Sequence, residues 1–282
     1  AVGKVSLGIW KGTPVAVKRM FGLTTSEYGT LMREALLHKN LRHPNIVQLL
    51  GVSTQPWCLV LEFMSRGSLF ACLQETQTVS MPWPLRLRCV IHTARGMAFL
   101  HSEGIMHRDL KSLNILIDED WRCKVADFDQ SREITELLTT AVGTVLWSAP
   151  EVLRRTGDYG KEADIYSFAI VMWECWARET PFTGIPRFSI ADYVAGGGRP
   201  VFSPGTLEPP EPYLGLMRQC WNQDPDNRPD FRSVVERLEG SAEHLLHVLE
   251  LRDQSEGESV KSRPGVETPL LSLTEQHSAH YP

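Results

Sequence analysis

The sequence has no closely spaced pair of cysteines that would indicate a zinc site or a disulfide framework. Its six cysteines lie far apart and form no C-x-x-C motif. Scattered thiols of this kind are typical of proteins in a reducing compartment, where cysteines pack rather than crosslink. We therefore expect a cytoplasmic location. The six are Cys58, Cys72, Cys89, Cys123, Cys175 and Cys220.

The sequence also lacks a run of basic residues and a long apolar segment. Lysine and arginine number 29 against 34 aspartates and glutamates, so the net charge is −5. We therefore expect no nucleic acid among its partners. A helix that spans a bilayer needs about 20 apolar residues. The longest apolar run, around 168–175, is far shorter and contains Glu174, so we expect no membrane span in this chain.

What is present is the composition of an ordinary globular protein, with strand patterns before helix patterns. The chain has 282 residues, a length sufficient for two packed lobes. Its hydrophobic fraction of 42% and charged fraction of 22% are typical of a soluble globular protein. Residues 15–18 alternate as in a strand, so Ala16 and Lys18 share one face. The short apolar run at 57–61 predicts a buried strand.

Helical patterns dominate the later part of the chain. Residues 86–101 carry apolar side chains along one broad face. Residues 164–177 are apolar almost all round, which is typical of a helix at the centre of a core. A last short helix is predicted at 231–238. Residues 241–282 are mostly polar and predict a disordered tail, apart from a helical extension around 245–251.

Three short motifs carry the chemistry, and they occur in the order HRDLKSLN (107–114), DFD (127–129) and APE (149–151). Asp109 can accept a proton from a hydroxyl group. Asn114 and Asp127 offer the hard oxygen ligands that Mg²⁺ prefers. One motif alone would be weak. Three in this order, after a strand that carries a lysine, indicate phosphoryl transfer.

Residues 1–240 resemble a eukaryotic protein kinase catalytic domain of the tyrosine-kinase-like group, close to Raf-like and mixed-lineage kinases. The segments that carry the resemblance are WKGTPVAVK (10–18), RHPNI (42–46), GTVLWSAPE (143–151), CW (220–221) and RP (228–229). The resemblance implies an α+β fold of two lobes with ATP held between them. The expected parts are a small, mainly β lobe at 1–61, a hinge at 62–66, a large, mainly α lobe at 67–240 and the tail at 241–282.

The resemblance also implies the catalytic roles. Lys18 is expected to hold the α- and β-phosphates of ATP, oriented by an ion pair with Glu34. Asp109 is the expected catalytic base, because phosphoryl transfer needs a positioned nucleophile more than covalent help. The expected catalytic residues are Asp109, Lys111, Lys18 and Glu34, and the expected Mg²⁺ ligands are Asn114 and Asp127.

The implied nucleotide pocket draws on both lobes. Leu61 has the position of the gatekeeper, and the backbone of 62–64 is expected to bind adenine. Of the glycine-rich loop, the sequence contains only the last glycine and the valine after it. The expected ATP-binding residues are Gly3, Val5, Ala16, Lys18, Leu61, Glu62, Phe63 and Met64.

Other motif residues are expected to be structural. In the family, the histidine that corresponds to His107 packs in the interior and supports the Asp-Phe-x segment, which is 127–129 in this sequence. A buried ion pair joins the acid of APE to the arginine of RP, and an aspartate at the start of the central helix caps the catalytic loop. These residues are His107, Phe128, Glu151, Asp164 and Arg228.

The residues after the catalytic base predict the substrate. Lys111, two residues after Asp109, is typical of family members that phosphorylate serine or threonine. Thr144 fits the same class, because its hydroxyl is expected to bond with Asp109 and Lys111. We therefore expect protein substrates with serine or threonine acceptors. In the activation segment, which the resemblance places at 127–151, Thr139 and Thr140 are the expected phosphorylation sites. The further partners that the resemblance suggests are an upstream activating kinase or a dimer partner.

Two departures from the family pattern leave a second function class open. Asp129 stands where the family has glycine, and His38 stands where an apolar residue packs on the phenylalanine. A pseudokinase that acts as a nucleotide-binding scaffold or allosteric partner is the alternative. The groups expected to handle ATP are all retained, which favours an active enzyme.

Overall fold

A computed structural model of the chain describes residues 2–21, 35, 38–75, 78–128, 144–154 and 159–261. The first part is a β-sheet and the second is mainly helical. This α+β arrangement in two lobes is the one predicted from the sequence. In the described part of the chain, no helix has both the length and the apolar character needed to cross a membrane.

The first lobe is built on a four-stranded antiparallel sheet with strand order β1-β2-β4-β3. Its strands are β1 (Val2–Trp10), β2 (Thr13–Phe21), β3 (Leu49–Thr54) and β4 (Trp57–Glu62). Lys11 and Gly12 connect β1 to β2 with φ values of 51° and 83°. Two consecutive positive φ angles are the signature of the hairpin turn that matches strand twist. This turn fixes the register that places Lys18.

A second, three-stranded sheet lies at the junction with the helical lobe. It consists of β5 (Gly67–Ser68), β6 (Ile115–Ile117) and β7 (Cys123–Val125), in that order. The helix α1 (Leu69–Gln74) follows β5 directly, and the Ser68 hydroxyl caps it by accepting from the Ala71 N–H at 3.2 Å. Because β6 and β7 are antiparallel neighbours, the residues before β6 and after β7 meet at one end of the sheet.

The helical lobe is organised around a buried central helix, α4 (Glu162–Ala177), in which every residue from 163 to 175 is buried. This is the outcome expected from its all-round apolar pattern. The other helices are α2 (Trp83–Ser102), α3 (Pro150–Arg154), α5 (Arg187–Ala195), α6 (Tyr213–Cys220) and α7 (Phe231–Lys261). Short 3₁₀ turns occupy Ser112–Asn114, Thr144–Trp147 and Pro225–Asn227.

The predicted end of the last helix is wrong. The sequence predicts a helix at 231–238 and, from 241, a disordered tail with a helical extension around 245–251, whereas one continuous helix, α7, runs from Phe231 to Lys261 and includes that extension. The reason is an apolar stripe that continues past Gly240. Leu245 is fully buried in the core of the helical lobe, and Ala242 and Leu246 pack against that core. Polar residues lie between these apolar ones, so the average composition of the segment does not reveal the stripe.

Candidate active site

The segment that carries HRD is fixed by the first turn of α4. Asp164, only 1% exposed, accepts the backbone N–H groups of His107 at 2.8 Å and of Arg108 at 2.9 Å. Arg108 has φ of 64°, a left-handed conformation that costs a non-glycine residue energy. The two hydrogen bonds to one buried carboxylate hold this strained turn in place. The position of the next residue, Asp109, is thereby fixed.

Asp109 has one carboxylate oxygen held by neighbours and one without a hydrogen-bond partner among the described residues. Its Oδ2 accepts from Lys111 Nζ at 2.7 Å and from Asn114 Nδ2 at 3.1 Å. Its Oδ1 is buried and has no hydrogen-bond partner among the described residues. A buried acceptor without a partner is costly unless it serves another purpose. Here it offers a fixed acceptor for a hydroxyl proton.

Asp127 and Lys18 meet across the two lobes. Asp127 Oδ1 accepts from Lys18 Nζ at 2.5 Å. Burial acts to raise the pKa of Asp127, but the charge and hydrogen bond of Lys18 outweigh it and lower the pKa overall, with His107 and Lys111 adding smaller effects. Asp127 is therefore ionised at neutral pH, as a metal ligand must be.

Asn114 lies beside Asp127 because of the second sheet. The Ala126 N–H donates to the Asn114 carbonyl at 2.9 Å, so the residue after β7 is bonded to the residue before β6. The Asn114 side-chain amide donates through Nδ2 to Asp109, which leaves its Oδ1 as an acceptor. An amide oxygen and a carboxylate side by side are a donor set that suits Mg²⁺.

The sheet of the first lobe forms the wall opposite these groups. Lys18 in β2 pairs with Val5 in β1 and with Leu59 in β4, and Ala16 pairs with Leu61. Residues paired in an antiparallel sheet share a face. The predicted pocket residues of these strands therefore lie on one face, with the lysine among apolar neighbours.

The predicted hinge begins at an anchored glutamate. The Glu62 carboxylate accepts from the Gln48 N–H at 2.6 Å and from Lys124 Nζ at 2.5 Å. Its own N–H donates to the Gln48 carbonyl at 3.0 Å. The backbone group that Glu62 could offer adenine is therefore its carbonyl. Met64, two residues on, is buried, whereas Phe63 is 40% exposed.

Phe128 is buried between two imidazole rings. The His38 ring packs edge-on at a centroid distance of 4.5 Å, and the His107 ring lies at 6.4 Å. His107 donates from Nε2 to the Ala126 carbonyl at 3.1 Å and accepts the Asp109 N–H on Nδ1 at 3.3 Å. Both ring nitrogens of this fully buried histidine are thus occupied. His38 donates from Nε2 to the Val47 carbonyl at 2.8 Å.

Glu151 and Arg228 form a two-pronged ion pair. The Glu151 oxygens accept from the two terminal nitrogens of Arg228 at 2.6 and 2.9 Å. The guanidinium also donates to the backbone carbonyls of Glu162 and Asn222, each at 2.9 Å. This arginine joins the start of α3 to the start of α4 and to the loop after α6.

Part of the predicted site lies outside the described residues. Glu34, Asp129, Thr139 and Thr140 belong to this group, and so does the side chain of Thr144. Their predicted roles therefore remain predictions, including the ion pair between Lys18 and Glu34.

One buried acid next to the site has no role in the sequence analysis. Glu174 accepts from Ser112 Oγ at 2.7 Å and from Trp147 Nε1 at 2.8 Å. Burial raises its pKa to about 8, against the hydrogen bonds from Trp147 and Ser112, which lower it. The only sequence signal is a lone acid within an apolar helix. Its partners, 27 and 62 residues away, could not be identified from that signal.

The two lobes and the groups between them define a class of protein, the protein kinase catalytic domains. The sequence pattern of the family described as "Protein tyrosine and serine/threonine kinase" matches residues 1–238. The chain belongs to this family, which confirms the resemblance to protein kinases.

Curated relatives agree with this assignment. The chain is 42% identical over 245 residues to "Probable serine/threonine-protein kinase drkA" of Dictyostelium discoideum, covering 84% of this chain and 37% of the relative. It is 42% identical over 246 residues to drkB of the same organism, covering 84% of this chain and 35% of the relative. A mimivirus protein, "Putative serine/threonine-protein kinase/receptor R831", is 38% identical over 248 residues, covering 84% of this chain and 15% of the relative. The chain thus spans less than two fifths of the length of these relatives.

Proposed function

We propose that this domain transfers the γ-phosphoryl group of ATP to serine and threonine hydroxyls of protein substrates. The observation that carries the proposal is the Asp109 carboxylate, which Lys111 and Asn114 hold through Oδ2 while Oδ1 has no hydrogen-bond partner among the described residues. A substrate hydroxyl placed there donates to Oδ1, and Asp109 orients its oxygen for attack and takes up its proton. Lys111 and Asn114, which hold the other oxygen, keep this carboxylate fixed.

Lys18, Asn114 and Asp127 form the nucleotide and metal side of the proposal. In this proposal the Lys18 ammonium binds the α- and β-phosphates of ATP, and the oxygens of Asn114 and Asp127 hold a Mg²⁺ ion. When bound, the ion neutralises charge that develops on the transferred phosphoryl group. The depressed pKa of Asp127 supports this assignment because the ligand stays ionised.

The acceptor class rests on Lys111. Its ammonium contacts the carboxylate of the base, and lysine at this place is typical of serine/threonine kinases. The relatives named above carry the same description in their names. We further propose a cytoplasmic location, on the ground of the six buried free thiols, and control by phosphorylation of Thr139 and Thr140.

The test is the transfer of labelled γ-phosphate to serine/threonine and tyrosine peptide pools. Asp109→Asn and Asp127→Asn should each lower the rate by about 10²–10⁴, with unchanged melting temperature. Asp226→Asn, an exposed acid on the 3₁₀ turn Pro225–Asn227, is the matched control and should retain full activity. The serine/threonine pool should be the one labelled.

Two outcomes would contradict the proposal. A wild-type rate no higher than that of Asp109→Asn would indicate a pseudokinase, in which nucleotide binding without transfer remains. Preferential labelling of the tyrosine pool would overturn the acceptor class while leaving the catalytic assignment intact.

A further inference from the structure

Exposed apolar side chains are concentrated in the first strand of the β-lobe. Of the large apolar residues that are exposed in the described part of the chain, four lie in β1: Val5, Leu7, Ile9 and Trp10. Val5 belongs to the predicted nucleotide pocket. Ile9 and Trp10 are 69% and 43% exposed and lie at the far end of the strand, directly before the turn at Lys11. Single exposed apolar residues are ordinary, but a group of them indicates a contact surface.

The turn between β1 and β2 presents these side chains on a protruding tip. Ile9 pairs with Pro14 and Trp10 pairs with Thr13. Because consecutive residues of a strand point to opposite faces, Ile9 and Trp10 lie on opposite faces of the hairpin. Every residue of the segment 9–14 is exposed. This hairpin tip is therefore a convex surface with one large apolar side chain on each face.

The hairpin is basic, although the chain as a whole is acidic. Residues 1–26 contain four basic residues and no acidic residue, whereas the whole chain has 29 basic and 34 acidic residues. Three of the four, Lys4, Lys11 and Arg19, are exposed. The Lys11 ammonium lies 5.3 Å from the centre of the Trp10 ring. A partner with negative charge is therefore attracted to this part of the β-lobe.

A lipid surface fits the hairpin tip better than a peptide does. A bound peptide needs a groove or a strand edge along its length, whereas the exposed groups here lie at a turn. Tryptophan has an apolar body and a polar N–H, and it is enriched where hydrocarbon meets lipid headgroups. A lysine can keep its stem on apolar groups while its ammonium reaches outward. The cytoplasmic location proposed above places the chain beside the membrane leaflet that carries anionic lipids.

We propose that the hairpin tip, residues 9–14, binds the surface of a membrane that contains anionic lipids. Ile9 and Trp10 insert among the headgroups, and Lys11 contacts the lipid phosphates. This binding goes beyond phosphoryl transfer and does not depend on it. Lys18 lies seven residues from Lys11, or roughly 23 Å along β2, so the groups assigned to ATP stay away from the lipid.

Sedimentation with lipid vesicles tests the proposal. The unmodified chain should sediment with vesicles of phosphatidylcholine and phosphatidylserine, and about tenfold less with vesicles of phosphatidylcholine alone. High salt should release it, because salt screens the attraction between exposed charges. Equal binding to the two kinds of vesicle, or no binding to either at low salt, would overturn the proposal.

Three variants of the hairpin tip separate the apolar and the charged contributions. Ile9→Ser and Trp10→Ser should each lower partition onto the mixed vesicles about tenfold, since each removes an inserted apolar side chain. Lys11→Asn should lower it about fivefold through loss of one charge. Asparagine suits the positive φ of this turn position, so the hairpin is retained. Unchanged binding in all three variants would contradict the assignment to the tip.

Two matched controls remove similar groups elsewhere. Phe188→Ser removes a side chain that is 86% exposed on α5, and Arg232→Asn removes an exposed charge on α7. Both should bind vesicles as the unmodified chain does. The tip variants should keep the melting temperature of the unmodified chain and its rate of transfer to peptides in solution. A binding defect is then separate from a defect in folding or catalysis.

Quenching of tryptophan fluorescence by brominated lipids is a second readout. Part of the fluorescence of the bound chain should be quenched, because Trp10 lies among the lipids. Trp10→Phe keeps an aromatic ring, so it should still bind but lose this quenching. Quenching that persists in Trp10→Phe would place another tryptophan at the lipid and overturn the proposal. Self-association that is lost in Trp10→Ser, with vesicle binding unchanged, would assign the tip to a contact between two copies and overturn it as well.

Discussion

At the scale of single residues, the buried charges of this domain are tolerated because of their partners. The Arg228 side chain has no exposed surface, and its guanidinium bonds to both oxygens of Glu151 and to two backbone carbonyls. Glu174 has only neutral donors, and its pKa is raised instead. The two sites show the alternative solutions for a buried ionisable group: a paired charge or a neutral form.

Removal of one member of the ion pair should therefore be severe. Arg228→Met should lower the free energy of unfolding by about 3–5 kcal/mol, because it leaves the Glu151 carboxylate without its partner. Urea denaturation at pH 7 measures this value.

The control for this prediction is the double variant Arg228→Met/Glu151→Met, which removes both charges. It should lose less stability than the single variant. Equal losses in the single and double variants would mean that the packing of the arginine, rather than the charge left behind, sets the cost.

Residue types and spacing predicted much of the site because its motifs are short and local. HRDLKSLN placed Asp109, Lys111 and Asn114 on one loop, and the structure shows the contacts among them. What could not be predicted were contacts between distant segments, such as the direct bond between Lys18 and Asp127. Such contacts depend on how the lobes pack, which no local pattern records.

At the scale of elements, α2 packs so closely against the loop after residue 42 that position 96 of the helix has no room for a side chain. A β-carbon at Gly96 would lie 2.5 Å from the carbonyl oxygen of Asn45. Asn45 in turn binds β7, through its carbonyl to the Val125 N–H at 2.9 Å and through its side chain to the Cys123 carbonyl at 3.0 Å. The helix, the loop and the strand therefore meet at one point with no room for a methyl group.

The comparison of Gly96→Ala with Gly240→Ala tests this close approach. Gly96→Ala should lower the free energy of unfolding by about 1–3 kcal/mol, because the obstacle is backbone. Gly240 lies within α7, and no neighbouring atom lies within 4 Å of the position that a β-carbon there would occupy. Gly240→Ala should raise stability by about 0.5–1 kcal/mol through helix propensity. Thermal or urea unfolding measures both changes, and the same sign in the two variants would contradict the explanation.

Element boundaries were predicted less well than element types. The helix predicted at 86–101 begins at Trp83, because Pro84 lies in its first turn, where the fixed φ of proline suits a helix and its missing N–H is not needed. The error at the end of α7 is larger. Gly240 and the polar residues after it favoured a stop, but tertiary burial of Leu245 overrides that local preference.

At the scale of the whole molecule, the end of α7 belongs to the folded core. Leu245 is fully buried, and α7 packs along α2 and α6. A catalytic domain that stops at the predicted boundary of 240 would lose this contact.

Leu245→Ala should therefore lower the free energy of unfolding by about 2–5 kcal/mol. Glu243→Ala, an exposed neighbour on the same helix, is the control and should change stability by less than about 0.5 kcal/mol. Unfolding in urea measures both. A chain shortened to end at residue 240 should melt at a lower temperature than one that ends at 261, and equal melting temperatures would contradict this role for the end of α7.

The burial of all six thiols makes the domain a reporter of its own opening. An alkylating reagent in solution can react only after a local or global fluctuation exposes the sulfur, so the rate of labelling follows the frequency of such fluctuations. Cys58 lies in β4 of the β-lobe, whereas Cys89, Cys123, Cys175 and Cys220 lie in the helical lobe. Mass-resolved labelling of the unmodified protein would therefore time the opening of each lobe separately, without any engineered probe.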